Sequence, residues 1–243
     1  MVYWFFVLWL AVAPGVVLLV RAFVLDKVER EPWKLIGKIV LWGIISTIIA
    51  VILELAIEPM LLSIMDEGTV LYVFWENFVG VALIEELCKY FAAKIPTWKN
   101  REFDYKYDAI VYTVASAVGF AVFENIFYCI DGGISIAIFR AIVSVPGHVI
   151  FGVFMGYFYG CAKYCDAHGN VGGRKLYNLA AVLIPTILHG FYDFCLSLDS
   201  GWLILIYLVF VITSYIVGFK LQKKSAAEDV RIYDWTSIGD EDW

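Results

Sequence analysis

Charge is scarce in this chain. Asp, Glu, Lys and Arg make up 17% of its 243 residues and hydrophobic residues 62%, a balance outside the range of soluble domains. That scarcity excludes a solvated globular domain and points to an integral membrane protein. Basic residues are missing ahead of the first apolar run, and no small-residue cleavage site precedes the charged stretch from Asp26 to Lys34. The run from Val2 to Val20 is therefore expected to be a retained span, not a cleaved signal peptide. Cysteine is present only as Cys88, Cys129, Cys161, Cys165 and Cys195, an odd number without CxxC spacing. This argues against a disulfide framework or a zinc ribbon and leaves them as small core hydrophobes. No repeat suggests inverted halves. The net charge of -6 is concentrated in a tail, where residues 228–243 hold six carboxylates against one Arg, so it says little about substrate and does not suggest nucleic acid.

What the chain has instead is long apolar runs. After Val2 to Val20 they cover 35–57, 70–95, 109–130, 134–159, 176–198 and 202–221. Each is near the ~20 residues a helix needs to cross the hydrocarbon core. Helices are required because an open strand edge cannot be satisfied in lipid. The expected fold is thus all-α, a polytopic transmembrane bundle of about seven spans. Lys and Arg cluster after the first, third, fifth and seventh runs, at Lys27 to Lys38, Lys99 to Lys106, Lys163 to Lys175 and Lys220 to Arg231. By the positive-inside rule the N-terminus lies outside and the C-terminus in the cytoplasm, with outer turns at Asp66-Glu67-Gly68, Asp131-Gly132-Gly133 and Asp199-Ser200-Gly201. Residues 1–224 form the membrane domain, and 225–243 are expected to be an acidic cytoplasmic tail without fixed structure.

Against that background the segment VGVALIEELCKYFAAK, residues 79–94, stands out. An ionised side chain at the centre of a membrane helix costs about 2.5–3.5 kcal/mol on insertion scales, so Glu85, Glu86 and Lys89 require partners or a task. Other ionisable or amide residues within the runs are few, and they include Glu124 and Asn125, His148, and His189 with Asp193. Glu85, His148 and His189 fall near mid-depth. Residues four apart share a helix face, which pairs Glu85 with Lys89 and His189 with Asp193. His148, Gly152, Gly156 and Gly160 form a small-residue stripe suited to close helix approach, so His148 faces protein. Pro146-Gly147 should weaken the helix there and open a cavity.

These residues resemble the PrsW family of intramembrane proteases, and more distantly the CAAX prenyl endopeptidases and bacterial Abi proteins. The resemblance rests on EELCK at 85–89, FAVFEN at 120–125, PGHVIFG at 146–152 and HGFYD at 189–193, with DKVEREP at 26–32 similar to the family's charged first loop. It implies a peptidase of the bacterial plasma membrane that cuts a single-span membrane protein near its outer juxtamembrane segment, such as an anti-sigma factor.

Amide hydrolysis needs an activated water, an acid for the leaving amine and donors for the oxyanion. No Ser or Cys presents itself as nucleophile, and Cys88 reads as packing. Glu85 or Glu86 is then the general base, with a light preference for Glu85. His148 would bind the same water, and His189, oriented by Asp193, would donate to the oxyanion or the amine. Lys89, Glu124, Asn125 and Asp193 support them. No cofactor is expected. Zinc held by His148, His189 and Glu124 is the competing reading, weakened by the lack of an HExxH helix. A proton-coupled carrier built on the same cluster is the alternative function. Taken singly, each His has a bland reading as a packing residue, Glu124-Asn125 as a structural network, and Glu54 and Glu58 as interfacial. Lys89 could snorkel or pair with the carboxylates. Arg140 could neutralise Glu124 or meet a substrate carbonyl.

Overall fold

A computed structural model describes residues 2–198 and 200–233. The chain order is α1 (Val2–Leu25), α2 (Trp33–Leu62), α3 (Val70–Trp75), a π-helical stretch (Glu76–Ala82), α4 (Leu83–Thr97), α5 (Asp108–Phe139), a second π-helical stretch (Arg140–Ser144), α6 (Val145–Ala167), α7 (Val171–Ser197) and α8 (Gly201–Ala227). No strand occurs among the described residues, apart from one isolated bridge between Tyr105 and Arg231. Among the described residues, five helices are long and apolar enough to cross a membrane: Tyr3–Leu25, Trp33–Leu62, Asp108–Ala167, Val171–Ser197 and Gly201–Ala227. The all-helical membrane architecture expected from the sequence is therefore present.

Three of the apolar runs take a form that periodicity does not reveal. The third is divided among α3, the π-helical stretch and α4, and its carboxylates and lysines set it apart from the five apolar helices. The fourth and fifth lie within one 60-residue helical stretch that breaks at Gly133, where φ is 67° and ψ is -158°. A side chain there would be strained, which is why Gly occupies the turn. The two legs then run antiparallel. Gly152 faces Thr113 and Ala117, Gly156 faces Ile110, and Gly160 faces Ala109 and Lys106, so the small-residue stripe lets the α6 and α5 backbones meet. A second close crossing joins α2 to α5, because a Cβ on Gly43 would strike the Ser116 carbonyl and one on Gly119 the Val40 carbonyl.

Helix α5 is the centre of the bundle, buried almost continuously from Asp108 to Ala121. It packs with Ile36 and Ile39 of α2, Tyr90 and Ala93 of α4, and Val149, Val153 and Tyr159 of α6. The outward faces of α1, α2 and α8 are lined with exposed Leu, Ile, Val and Trp, as lipid contact requires.

The break expected at Pro146-Gly147 is not where the irregularity falls. Pro146 continues the helix directly after the π-helical stretch Arg140–Ser144, and the distortion appears in that upstream stretch. The expected boundary at residue 225 also falls inside a helix, since α8 runs to Ala227. Beyond it, Lys106 N–H donates to the Val230 carbonyl at 3.0 Å and Ile232 N–H to the Asp104 carbonyl at 2.6 Å, and Ile232 is buried. The tail is therefore docked through residue 232. Residues 234–243, expected to lack structure, and Asp199 of the expected third outer turn lie outside the described residues.

Candidate active site

The polar residues singled out by the sequence converge between α4, α5, α6 and α7. Two local features set their approach. The π-helical stretch before α4 shifts the phase of the following turn, a distortion common at functional sites. It is tied down by the Asn77 amide, which donates to the Val73 carbonyl at 2.7 Å and accepts from the Ser197 hydroxyl of α7 at 3.1 Å. On α7, Gly190 allows close contact, since a Cβ there would lie 2.6 Å from the Phe78 ring. His189, one residue earlier, is thereby pressed against α4.

Lys89 is at the middle of the cluster, only 1% exposed. Its ammonium is 2.9 Å from Glu85 Oε2, 2.8 Å from Glu86 Oε1 and 2.9 Å from His148 Nδ1, above the Phe120 ring. An ammonium has three N–H groups, and all three are taken. The interfacial reading of Lys89 is thus replaced by pairing with both glutamates. With Lys89 donating to Nδ1, the proton of a neutral His148 ring is on Nε2, which lies 3.1 Å from Glu124 Oε2. Arg140 reaches the same Glu124 oxygen at 3.0 Å. Its Nε donates to Asn125 Oδ1 at 2.8 Å, and the Asn125 amide donates to the Ala11 carbonyl of α1 at 3.1 Å. Arg140 therefore neutralises Glu124, one of the two roles open from the sequence.

His189 is held at both ring nitrogens, Nδ1 by Glu86 Oε1 at 3.0 Å and Nε2 by Asp193 Oδ2 at 3.1 Å. The i,i+4 pairing with Asp193 is as the spacing predicted. The His148 and His189 rings stand perpendicular with centroids 5.1 Å apart, and His189 stacks on Phe151. Burying this many charges is costly, and the arrangement is tolerable only because each of these carboxylates stands beside an ammonium, a guanidinium or an imidazole.

A cavity of about 410 Å³ opens onto the cluster. Glu85, Glu124, Arg140, His148, His189 and Asp193 line it, whereas Glu86 and Lys89 do not. Glu86 is fully buried behind them. The two adjacent glutamates thus occupy different environments, as the 100° between neighbouring helical positions requires. The sequence reading did not place Asn77 or Glu54 here, yet both line the cavity. The one signal for Glu54 was an acid within an apolar run, and its position four residues before Glu58 suggested the interface instead.

The donors that approach closely enough to share a metal are Glu85, Glu86, His148 and His189, with ligand atoms within 4.8 Å of one another. This differs from the set His148, His189 and Glu124 expected for zinc, because Glu124 meets the far nitrogen of His148 and is held by Arg140. Two His and two carboxylates suit zinc by type. In this arrangement, however, the Lys89 ammonium faces three of the four donors at hydrogen-bond distance, so a metal does not fit while Lys89 is in place.

Comparison with known proteins gives a consistent picture. A profile described as PrsW family intramembrane metalloprotease matches residues 31–218. Protease PrsW of Geobacillus kaustophilus is 35% identical over 191 residues, covering 79% of this chain and 80% of its own. Protease PrsW of Oceanobacillus iheyensis is 33% identical over 212 residues, 87% and 93% of the two chains, and that of Bacillus subtilis 29% over 221 residues, 91% and 95%. No solved structure matches significantly.

Proposed function

This chain belongs to the PrsW family of intramembrane proteases, and from that membership we propose that it hydrolyses a peptide bond of a single-span membrane protein, such as an anti-sigma factor, with water activated by Glu85. The observation that carries the assignment of the base is the different exposure of the adjacent glutamates: Glu85 lines the cavity and Glu86 does not. Lys89 engages Oε2 of Glu85, which leaves Oε1 for a water.

In the proposed reaction Glu85 takes a proton as the water oxygen attacks the carbonyl carbon. The carbonyl oxygen gains negative charge, and His148 Nε2–H, 3.1 Å from Glu124 Oε2 in the resting state without a hydrogen bond to it, turns toward it. Glu85 then passes its proton to the amine as the C–N bond breaks. Glu86 and Asp193 fix His189, whose ring forms the cavity wall beside His148. No step passes through a metal, a reading supported by the Lys89 ammonium among the donors. The carrier alternative gains no support from relatives that are proteases.

We read the bundle as seven crossings, with Val70–Thr97 as one composite span and the two legs around Gly133 as two, the N-terminus outside and the basic loops in the cytoplasm of a bacterial plasma membrane. The test is a single-span reporter with an outer tag, co-reconstituted in liposomes with the parent protein or with Glu85→Gln, Glu86→Gln or His148→Ala. The expected result is cleavage by the parent and a loss of at least 100-fold with Glu85→Gln. Cleavage by all three variants at the parent rate would remove the proposal.

A further inference from the structure

The carboxylates that line the cavity are Glu54, Glu85, Glu124 and Asp193. Three of them have a cationic or imidazole partner: Glu85 has Lys89, Glu124 has Arg140 and His148, and Asp193 has His189. Glu54 of α2 forms no ion pair among the described residues, and its Oε1 is buried without a hydrogen-bond partner. A carboxylate oxygen in that condition costs more than a paired one.

Its position gives the reason a chemical direction. A second cavity of about 240 Å³ runs along the seam between α2 and the π-helical stretch, and Val51, Glu54 and Val81 line both cavities. The seam continues past Gly80 to Leu61 near the C-terminal end of α2. Gly80 contributes no side chain to fill it, and the nearest atom a Cβ would meet is the Leu61 Cδ1 at 3.4 Å. Glu58 and Glu76 stand along the same seam, so three acidic side chains and no basic residue line it.

We infer that the seam is the substrate channel and that Glu54 is a specificity-determining residue, which selects a Lys or Arg of the unwound substrate segment a few residues from the scissile bond. The inference rests on the protease reading above. A cation at that point satisfies the free carboxylate oxygen, while an acidic residue meets three carboxylates in a poorly solvated groove. Apolar neighbours of the selected residue would lie on Val51, Val81 and Leu61. Glu54 does not touch the reacting atoms in this arrangement, so its effect falls on choice of substrate and not on the chemical step.

The experiment uses full-length protein in liposomes and a set of single-span reporters in which Lys, Gln or Glu is placed in turn at each of the positions flanking the cut. Cleavage rates are read by mass spectrometry. At one position or two adjacent ones the parent is expected to cleave the Lys reporter at least 10-fold faster than the Glu reporter. Glu54→Gln should bring the two within 2-fold, and Glu54→Lys should invert the preference. A Lys preference retained in Glu54→Gln, in protein that elutes as the parent does, overturns the inference and leaves the protease reading standing. Failure of the parent to cleave any reporter overturns both. A Gln-reporter rate reduced 100-fold by Glu54→Gln would also overturn it, by placing Glu54 in the chemistry.

Discussion

The Lys89 ammonium donates to Nδ1 of His148 across 2.9 Å, joining α4 to α6 at the centre of the bundle. The same ammonium satisfies Glu85 and Glu86, so one side chain fixes the histidine tautomer and neutralises the adjacent carboxylates. Replacing Lys89 with Met would leave Glu85 buried without its ammonium partner and Glu86 with His189 alone, a change that costs about 3–5 kcal/mol when one partner of a buried pair is removed. The expected outcome is loss of cleavage together with a marked drop in thermal stability in detergent. Glu85→Gln should lose activity with a smaller change in stability, because Glu86 still pairs with Lys89. Equal stability losses in the two variants would contradict this division of roles.

Much of the bundle and most of its site are legible in the sequence, for a physical reason. In lipid an ionisable residue is rare enough to be informative, so Glu85, Glu86, Lys89, Glu124, His148, His189 and Asp193 identify themselves, and the structure brings all seven together. Glu54 hides because an acid near the end of an apolar run has an interfacial explanation that is usually sufficient. What turns it inward is the seam between α2 and a π-helical stretch, and no apolar period announces that stretch. The partner of Arg140 could not be chosen because it depends on the chain reversing at Gly133, which brings Arg140 back beside Glu124 and Asn125. The same reversal hides the zinc question, since it decides which nitrogen of His148 each carboxylate meets.

Chelation separates the metal-dependent and metal-free schemes. With Lys89 facing Glu85, Glu86 and His148, activity is expected to survive prolonged treatment with EDTA and 1,10-phenanthroline, and elemental analysis should find less than about 0.1 zinc per chain. Loss of cleavage on chelation with recovery on adding zinc would require Lys89 to leave the cluster, and a metal to take its place among Glu85, Glu86, His148 and His189.

The crossing of α2 and α5 is a packing test remote from the chemistry. Gly43 and Gly119 each lie against a backbone carbonyl of the other helix, so a methyl group at either position must push the helices apart. Gly119→Ala is expected to lower stability by about 1–3 kcal/mol, the usual cost of overpacking. Gly37, one turn before this contact with open space around its Cα, is the control, and Gly37→Ala should leave the unfolding temperature unchanged or slightly raised.

Stability should also depend on pH through the loop between α1 and α2. Burial, with the nearby Asp229 adding to it, pushes the Asp26 carboxyl up to about 6. Burial likewise raises Glu31 to about 8, the Tyr112 hydroxyl opposing and Glu102, Asp26 and Asp104 reinforcing the shift. Both groups bind protons more tightly in the folded protein than in the unfolded chain, whose carboxyls titrate near pH 4. Their contribution is therefore fully favourable below about pH 4 and is lost as pH rises through 6 for Asp26 and 8 for Glu31. Over that window the folded state should weaken with rising pH, and the unfolding temperature at pH 8.5 should lie below that at pH 5.5. Glu31→Gln, which keeps the shape and removes the ionisation, should raise stability at pH 8.5 by about 1–3 kcal/mol and flatten the dependence above pH 6. A parent protein more stable at pH 8.5 than at pH 5.5, with Glu31→Gln showing the same slope, would mean that these carboxylates are paired with cations in the membrane and not held by burial.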